Sequence, residues 1–177
     1  RMSYIDNTIQ GWMSPEELQW LFQQAQQMET IVEIGAWRGK STHALLSGCP
    51  GTVYAVDHWF GTPSERRSAH KDAATQDIFK QFMKNVGHFP NLRVLRGNSV
   101  EVAATFADKS IDMCFIDGDH SYEAVIVDIK AWLPKTKKLI CGHDIVNTDV
   151  NQAVIENFPK FKCGPWRIWY ELLSAPI

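Results

Sequence analysis

From residue 14 onward, short apolar runs alternate with amphipathic stretches, and the two repeat periods take turns along the chain. Ser14-Pro15-Glu16-Glu17 is a capping box with proline at the first helical position, and Leu18, Leu21, Phe22 and Ala25 follow at helical spacing. The first strand is then Ile31 to Ile34, followed by a glycine-bracketed loop and a helix to about Leu46. Val53 to Val56 reads as the second strand and ends at Asp57. A long polar stretch follows, helical over 64–86 through Ile78, Phe79, Phe82, Met83 and Val86. Leu92 to Leu95 is the third strand, with a helix through Val102 and Phe106 behind it. Ile111 to Ile116 precedes a helix from Tyr122 to Trp132, and Leu139 to Cys141 precedes one through Ala153 and Ile155. A last apolar segment holds Trp166, Ile168 and Trp169. This alternation predicts right-handed β-α-β crossovers and one doubly wound α/β sheet.

Composition narrows the class of protein. A chain of 177 residues, 45% hydrophobic and 21% charged, suits a single domain spanning 1–177, with an N-terminal helical segment over 1–30 and a lid insertion over 58–90. Residues 60 to 75 could equally form an ordinary surface helix. A formal charge of -2 leaves no footprint for nucleic acid, and Lys135, Lys137 and Lys138 read as a solvated turn before a strand. No apolar run approaches the length of about 20 residues that spans a membrane, and there is no signal-peptide pattern, so a cytoplasmic protein is expected. Arg1 in place of methionine suggests a trimmed or engineered start. Cys49, Cys114, Cys141 and Cys163 are widely spaced and read as reduced core thiols.

The loop Gly35-Ala36-Trp37-Arg38-Gly39-Lys40-Ser41 is the first candidate for chemistry. A P-loop needs four residues between its first glycine and Gly-Lys-Ser, and here there are three. A dinucleotide fingerprint needs glycines where this chain has Trp37 and Lys40. Neither a triphosphate nor a pyrophosphate is implied. Glu33, Asp57-His58, Asn98-Ser99, Asp117-Gly118-Asp119-His120 and His143-Asp144 all fall where apolar strands end, and ligands of doubly wound sheets bind at those ends. Each acid or amide could serve instead as a helix cap. A carboxylate at Asp57, closing the second strand, suits both hydroxyls of a ribose.

The acid-x-Gly-x-x-x-Gly pattern resembles motif I of class I methyltransferases that use S-adenosylmethionine. The run from Phe115 to Glu123, with Trp132-Leu133-Pro134 and Gly142-His143-Asp144, resembles a narrower branch: small-molecule O-methyltransferases related to macrocin and sugar O-methyltransferases and to cephalosporin-hydroxylase-like proteins. The resemblance covers about Trp12 to Trp169 and implies a Rossmann-like, mostly parallel seven-stranded sheet with helices on both faces. It implies a cofactor site made of Glu33, Gly35, Trp37, Gly39 and Ser41 at the methionine end. Asp57 would meet the ribose, His58, Asn98 and Ser99 the adenine, and Asp117 the region of the transferring methyl. It further implies a magnesium ion on Asp117 and Asp144, with His143 where the family often has a carboxylate, a change that tilts preference toward manganese. Asp119 or His120 would be the base. A small-molecule hydroxyl would be the acceptor, and a helix bearing Trp12 and Trp20 could pair two chains. Two other readings stay open: a nucleoside-binding member of the fold that does not methylate, and an NAD-dependent oxidoreductase.

Overall fold

A computed structural model describes residues 3–62 and 69–173. The elements follow the predicted alternation. They are α1 (Pro15–Ala25), β1 (Thr30–Ile34), α2 (Lys40–Gly48), β2 (Thr52–Asp57), a 3-10 segment (Ala69–Ala74), α3 (Ile78–Val86), β3 (Leu92–Arg96) and α4 (Ser99–Ala103). Then come β4 (Ile111–Ile116), α5 (Tyr122–Trp132), β5 (Thr136–Gly142), α6 (Thr148–Asn157), β6 (Lys162–Cys163) and β7 (Trp169–Leu172).

The strands form one seven-stranded sheet in the order β3-β2-β1-β4-β5-β7-β6. The first five pair in parallel, while β7 runs antiparallel to β5 and β6 antiparallel to β7. The order reverses at β1, so the crevice of a doubly wound sheet must open between the ends of β1, β2 and β4.

Two apolar layers sandwich the sheet, and strand alternation sends side chains to one or the other. Ile31, Met113 and Phe115 join Leu18, Leu21, Leu45 and Phe82 on the face covered by α1, α2 and α3. Val32, Ile34, Cys114 and Ile116 join Ile129, Trp132 and Val154 on the opposite face, under α4, α5 and α6. Every residue of β4 is buried, as the central strand of such a sheet requires.

The boundaries differ from the predicted ones at several places. Of the helix expected over 64–86, the described residues form a 3-10 segment over Ala69–Ala74 and an α-helix from Ile78, where the Asp77 side chain accepts the Lys80 N–H at 2.9 Å and caps a new helix. Residues 63–68 of the expected lid lie outside the described residues. Among the described residues the N-terminal segment is helical within α1, and residues 3–13 run as loop. The helix after β3 stops at Ala103, and Phe106 turns back to contact Trp132 and Tyr54. Trp166 is exposed rather than in the core, and Cys163 is exposed while the other three cysteines are buried. The lysines before β5 are tied down, Lys137 Nζ lying 3.4 Å from the buried Asp112 and Lys135 Nζ 2.9 Å from Asp108.

Gly35 marks a close approach between the ends of β1 and β4. Its φ is +86°, and a Cβ there would stand 2.1 Å from the Asp117 carbonyl oxygen. Gly35→Ala should therefore lower stability by more than about 2 kcal/mol, from left-handed strain plus a backbone clash. Thermal unfolding of the variant checks this; a melting temperature equal to that of the parent chain would refute the close approach.

Candidate functional site

The crevice runs across the carboxyl ends of β1 to β5 in two lobes that share Gly35 and Gly118. One lobe, about 280 Å³, is walled by Trp12, Trp37, Lys40, His120, Asp144 and Arg167. The other, about 460 Å³, is lined by Val56, Asp57, Asn98, Ser99, Asp119 and Asp128 among others. A smaller recess holding Trp37, Asp57, His58 and Asp117 bridges them.

The glycine loop is held from below and from the side. Glu33 lies on the sheet face covered by α1, α2 and α3 and is fully buried, so it does not reach the crevice. Instead it accepts hydrogen bonds from Ser41 Oγ and, at 2.5 Å, from Thr42 Oγ1 in the first turn of α2. Burial raises the Glu33 carboxyl to about 7 against the pull of those two hydroxyls, so the acid is a support of the loop rather than a cofactor contact. Gly39 also sits behind the crevice. With φ +93° it starts α2, and a Cβ there would press on Phe82 and Val86 at 3.2 Å. Trp37, left-handed at φ 49°, donates its N–H to Asp57 Oδ2 at 2.9 Å, and Trp59 N–H donates to Oδ1 at 2.8 Å. Asp57 thus anchors two loops while its carboxylate still lines the crevice. Arg38 lines the smaller lobe, and its guanidinium pairs with Asp72 at 2.9 Å and with Gln81 at 2.7 Å.

Beyond β3 and β4 the side chains sort by lobe. Asn98 caps α4, its Oδ1 accepting from Val100 and Glu101 N–H at 2.9 and 3.3 Å, and the Ser99 hydroxyl donates to Asp128. His58 is half exposed and stacks on Phe60, with ring centroids 5.9 Å apart. Asp119 accepts the Ser121 N–H at 2.8 Å and faces the larger lobe, away from the acidic pair of the smaller one.

In the smaller lobe, single ligand atoms of Asp117, His120 and Asp144 all lie within 4.8 Å of one another. His120 Nε2 is 2.8 Å from Asp144 Oδ2 and 3.7 Å from Asp117 Oδ1. Asp117, His120 and Asp144 converge there, and His143, which the sequence suggested beside the two aspartates, lines the same lobe with Nδ1 3.8 Å from Asp117 Oδ1. His143 is buried and held from the far side: Nε2 hydrogen-bonds Glu17 Oε2, while Nδ1 is 3.1 Å from Asp144 Oδ2. Burial opposes charge on both imidazoles, yet hydrogen bonds to the surrounding carboxylates outweigh it and raise His120 to about 11 and His143 to about 10. Burial pushes Asp117 up, whereas Asp144, between two imidazoles, is held well below the usual carboxylate range despite its burial.

Several lining residues went unread in the sequence. Gly11 and Trp12 come from the loop ahead of α1, Lys40 from the first turn of α2, and Arg167, whose Nη1 is 3.6 Å from Asp144 Oδ1, from the turn before β7. Trp20 is engaged within the chain, against Tyr170 at 5.5 Å. One available signal was Asp128, an acid on the otherwise apolar stripe Val125, Ile129 and Trp132 of α5.

Comparison with known proteins adds three findings. Residues 32–145 match the family described as Methyltransferase domain. An uncharacterized protein of Sinorhizobium fredii, y4gI, is 29% identical over 152 residues, which is 81% of this chain, and the chain spans 15% of that relative's length. Two solved structures share the fold: an O-methyltransferase of Bacillus cereus in complex with SAH (18% identity, TM-score 0.64, 94% of this chain and 85% of that one) and the O-methyltransferase TomG of Streptomyces achromogenes, involved in tomaymycin synthesis, in complex with SAM (12% identity, TM-score 0.65, 93% and 82%).

Two consequences of the buried acids can be measured. The folded Glu33 holds a proton that the unfolded chain releases above its ordinary 4.5, so the stability it confers is complete below pH 4.5 and is lost as pH rises to about 7. That shift corresponds to about 3 kcal/mol. Relative to Glu33→Gln, the parent chain should lose about 5 °C or more of melting temperature between pH 5 and 8; a pH-independent gap would refute it. Glu17→Ala leaves His143 buried beside Asp144 without its second acceptor and should cost about 3 kcal/mol in chemical denaturation, with Glu17→Gln costing less. Equal losses in the two variants would contradict a charge-based pairing.

Proposed function

The chain belongs to the methyltransferase domain family, and from that premise we propose that it transfers a methyl group from S-adenosylmethionine to a hydroxyl of a small molecule. The observation that carries this reading is the pairing of two adjoining lobes, one with the dimensions and the Asp57 carboxylate for a nucleoside, the other with Asp117, His120 and Asp144 around a separate acceptor. The solved relatives of the same fold, with SAH or SAM bound, support the choice of cofactor.

Methyl transfer is an in-line displacement. The acceptor oxygen forms a bond to the methyl carbon as the carbon–sulfur bond breaks, its electron pair staying on sulfur, so alignment and removal of the hydroxyl proton are the protein's tasks. Asp117 stands at the junction of the lobes, and its burial makes it the more basic carboxylate of the pair. It is the group suited to take the proton, while the His120 imidazolium gives the developing oxyanion a charged donor. Asp144, already low and paired with both histidines, keeps that imidazolium charged and oriented. With His120 deprotonated, two carboxylates and an imidazole would form a donor set that fits a divalent cation, magnesium or manganese, on Asp117, Asp144 and His120, and such an ion would supply Lewis acidity toward the acceptor oxygen in place of the imidazolium. Trp12 and Trp37 wall the acceptor lobe against solvent.

Among the described residues no helix is long and apolar enough to cross a membrane. The buried free thiols of Cys49, Cys114 and Cys141 are in keeping with the reducing interior of the cytoplasm as the proposed location.

Calorimetric titration with S-adenosylhomocysteine, NAD and ATP tests the reading: only the first should bind, and its failure to do so would overturn the proposal. Asp57→Ala should weaken that binding by about tenfold or more. Asp117→Ala should reduce turnover of an identified acceptor by about a hundredfold, measured from radiolabelled methyl transfer.

A further inference from the structure

The larger lobe contains a buried carboxyl that the proposed reaction leaves unused. Asp128 projects from the buried stripe of α5 and is 6% exposed, yet it lines the lobe. Its Oδ1 accepts the hydroxyl of Ser99, the first residue of α4. Its Oδ2 lies 3.6 Å from where a Cβ on Gly118 would stand, and Ile34 Cγ2 lies equally close to that point, so this oxygen sits on the floor where β1 and β4 end. Among the described residues no hydrogen bond reaches Oδ2. The lining of the lobe mixes apolar Ile34, Val56, Ala124 and Val127 with polar groups, Asp119 among them. A buried carboxylate oxygen with no donor is costly, and burial, with the nearby Asp119 charge, raises the Asp128 carboxyl to about 6 against the Ser99 bond.

Asn98, at the end of β3, reads in the sequence as the acceptor for the adenine amino group. In the folded chain its carbonyl oxygen is taken up by Val100 and Glu101 N–H in capping α4. Asp128 Oδ2, in the same lobe, is a buried acceptor not spent in this way. We propose that Asp128, oriented by Ser99, reads the exocyclic amino group of the cofactor's base and makes the crevice select a 6-amino purine over a 6-oxo purine. This rests on the nucleoside reading of the larger lobe given above. An amino group donates to Oδ2, whereas a 6-oxo oxygen brings a second acceptor against it and leaves both unsatisfied.

The test uses two ligands that differ only at that position, S-adenosylhomocysteine and S-inosylhomocysteine, titrated calorimetrically at pH 8 into the parent chain, Asp128→Asn and Asp128→Ser. The parent chain should prefer the amino ligand by about tenfold or more. In Asp128→Asn, whose amide can donate as well as accept, and in Asp128→Ser, which removes the second oxygen, the preference should shrink to within about twofold. Equal binding of both ligands by the parent chain would overturn the proposal while leaving the nucleoside site standing, as would a preference undiminished in whichever variant folds. Binding of neither ligand would remove the cofactor reading and this proposal with it.

Discussion

The close approach of β1 and β4 at Gly35 constrains the rest of the carboxyl edge. With the Asp117 carbonyl where a side chain would otherwise be, the two central strands end in contact, joined by the Asp117 N–H to Ile34 carbonyl bond at 2.8 Å. Gly35 in turn donates to the Val56 carbonyl at 2.9 Å, which brings the end of β2 into the same corner. A glycine is demanded there both by left-handed φ and by space. The chain must leave this point by a tight turn, and Trp37 and Gly39 supply the further positive φ values that bring α2 back over the sheet. Asp57 stitches the turn to β2 by accepting the Trp37 N–H, and Glu33 stitches it to α2. The division of the crevice into two lobes follows, since Gly35 and Gly118 form the low ridge between them.

Around the smaller lobe the charges alternate in a chain that reaches from the N-terminal helix to the reacting region. Ser14 N–H donates to Glu17 Oε1 at 3.0 Å, and Glu17 Oε2 meets His143, which meets Asp144, which meets His120 beside Asp117. Each buried charge has an opposite neighbour, which is the condition under which such groups stay ionised in a dry interior. Glu17 has two uses at once: it completes the capping box that starts α1 and it orients an imidazole at the end of β5. Helix α1 is thereby fastened to the site, and the loop ahead of it, with Gly11 and Trp12, becomes the outer wall of the lobe.

What could be read from the sequence and what could not divide along a physical line. Strands and helices that bury one face announce themselves by period, so the parallel sheet and the strand-end residues were legible, as was the Ser14 cap. Which way a strand-end side chain points was not. Glu33 follows Val32 by one residue and so falls on the opposite face, beneath α2, where Ser41 and Thr42 await it. His143 and His120 are interchangeable as symbols, and only the packing of α1, 126 residues away in sequence from His143, decides that Nε2 of His143 is tied to Glu17 while both imidazoles line the lobe. Asp119 and Asp117 are two apart, which within a strand would put them on one face, but both lie past the end of β4, where the chain turns at Gly118 and only Asp117 lines the smaller lobe. Short elements were lost for a related reason: β6 has two residues, too few for any period, and α3 starts at a cap inside a stretch that reads as one helix.

The same distinction bears on how a small sheet protein makes a two-substrate site. Caps and ligands draw on the same residue types, and a side chain whose acceptors are spent on backbone N–H groups has less to offer a ligand. Asn98, Asp119 and Ser121 spend theirs on the starts of α4 and α5, while Asp57 spends one lone pair of each oxygen and still faces the crevice. The acids that remain are those whose partners are side chains: Asp117 and Asp144 with histidines, and Asp128 with Ser99. Asp117 stands at the junction, Asp144 in the smaller lobe and Asp128 in the larger one. Side-chain partners can rotate or exchange protons when a ligand arrives, whereas backbone donors of a helix start cannot move without unwinding it. The acids most able to respond to a ligand are therefore the ones that the fold has left to other side chains, and the proposed reading gives each of them a separate task.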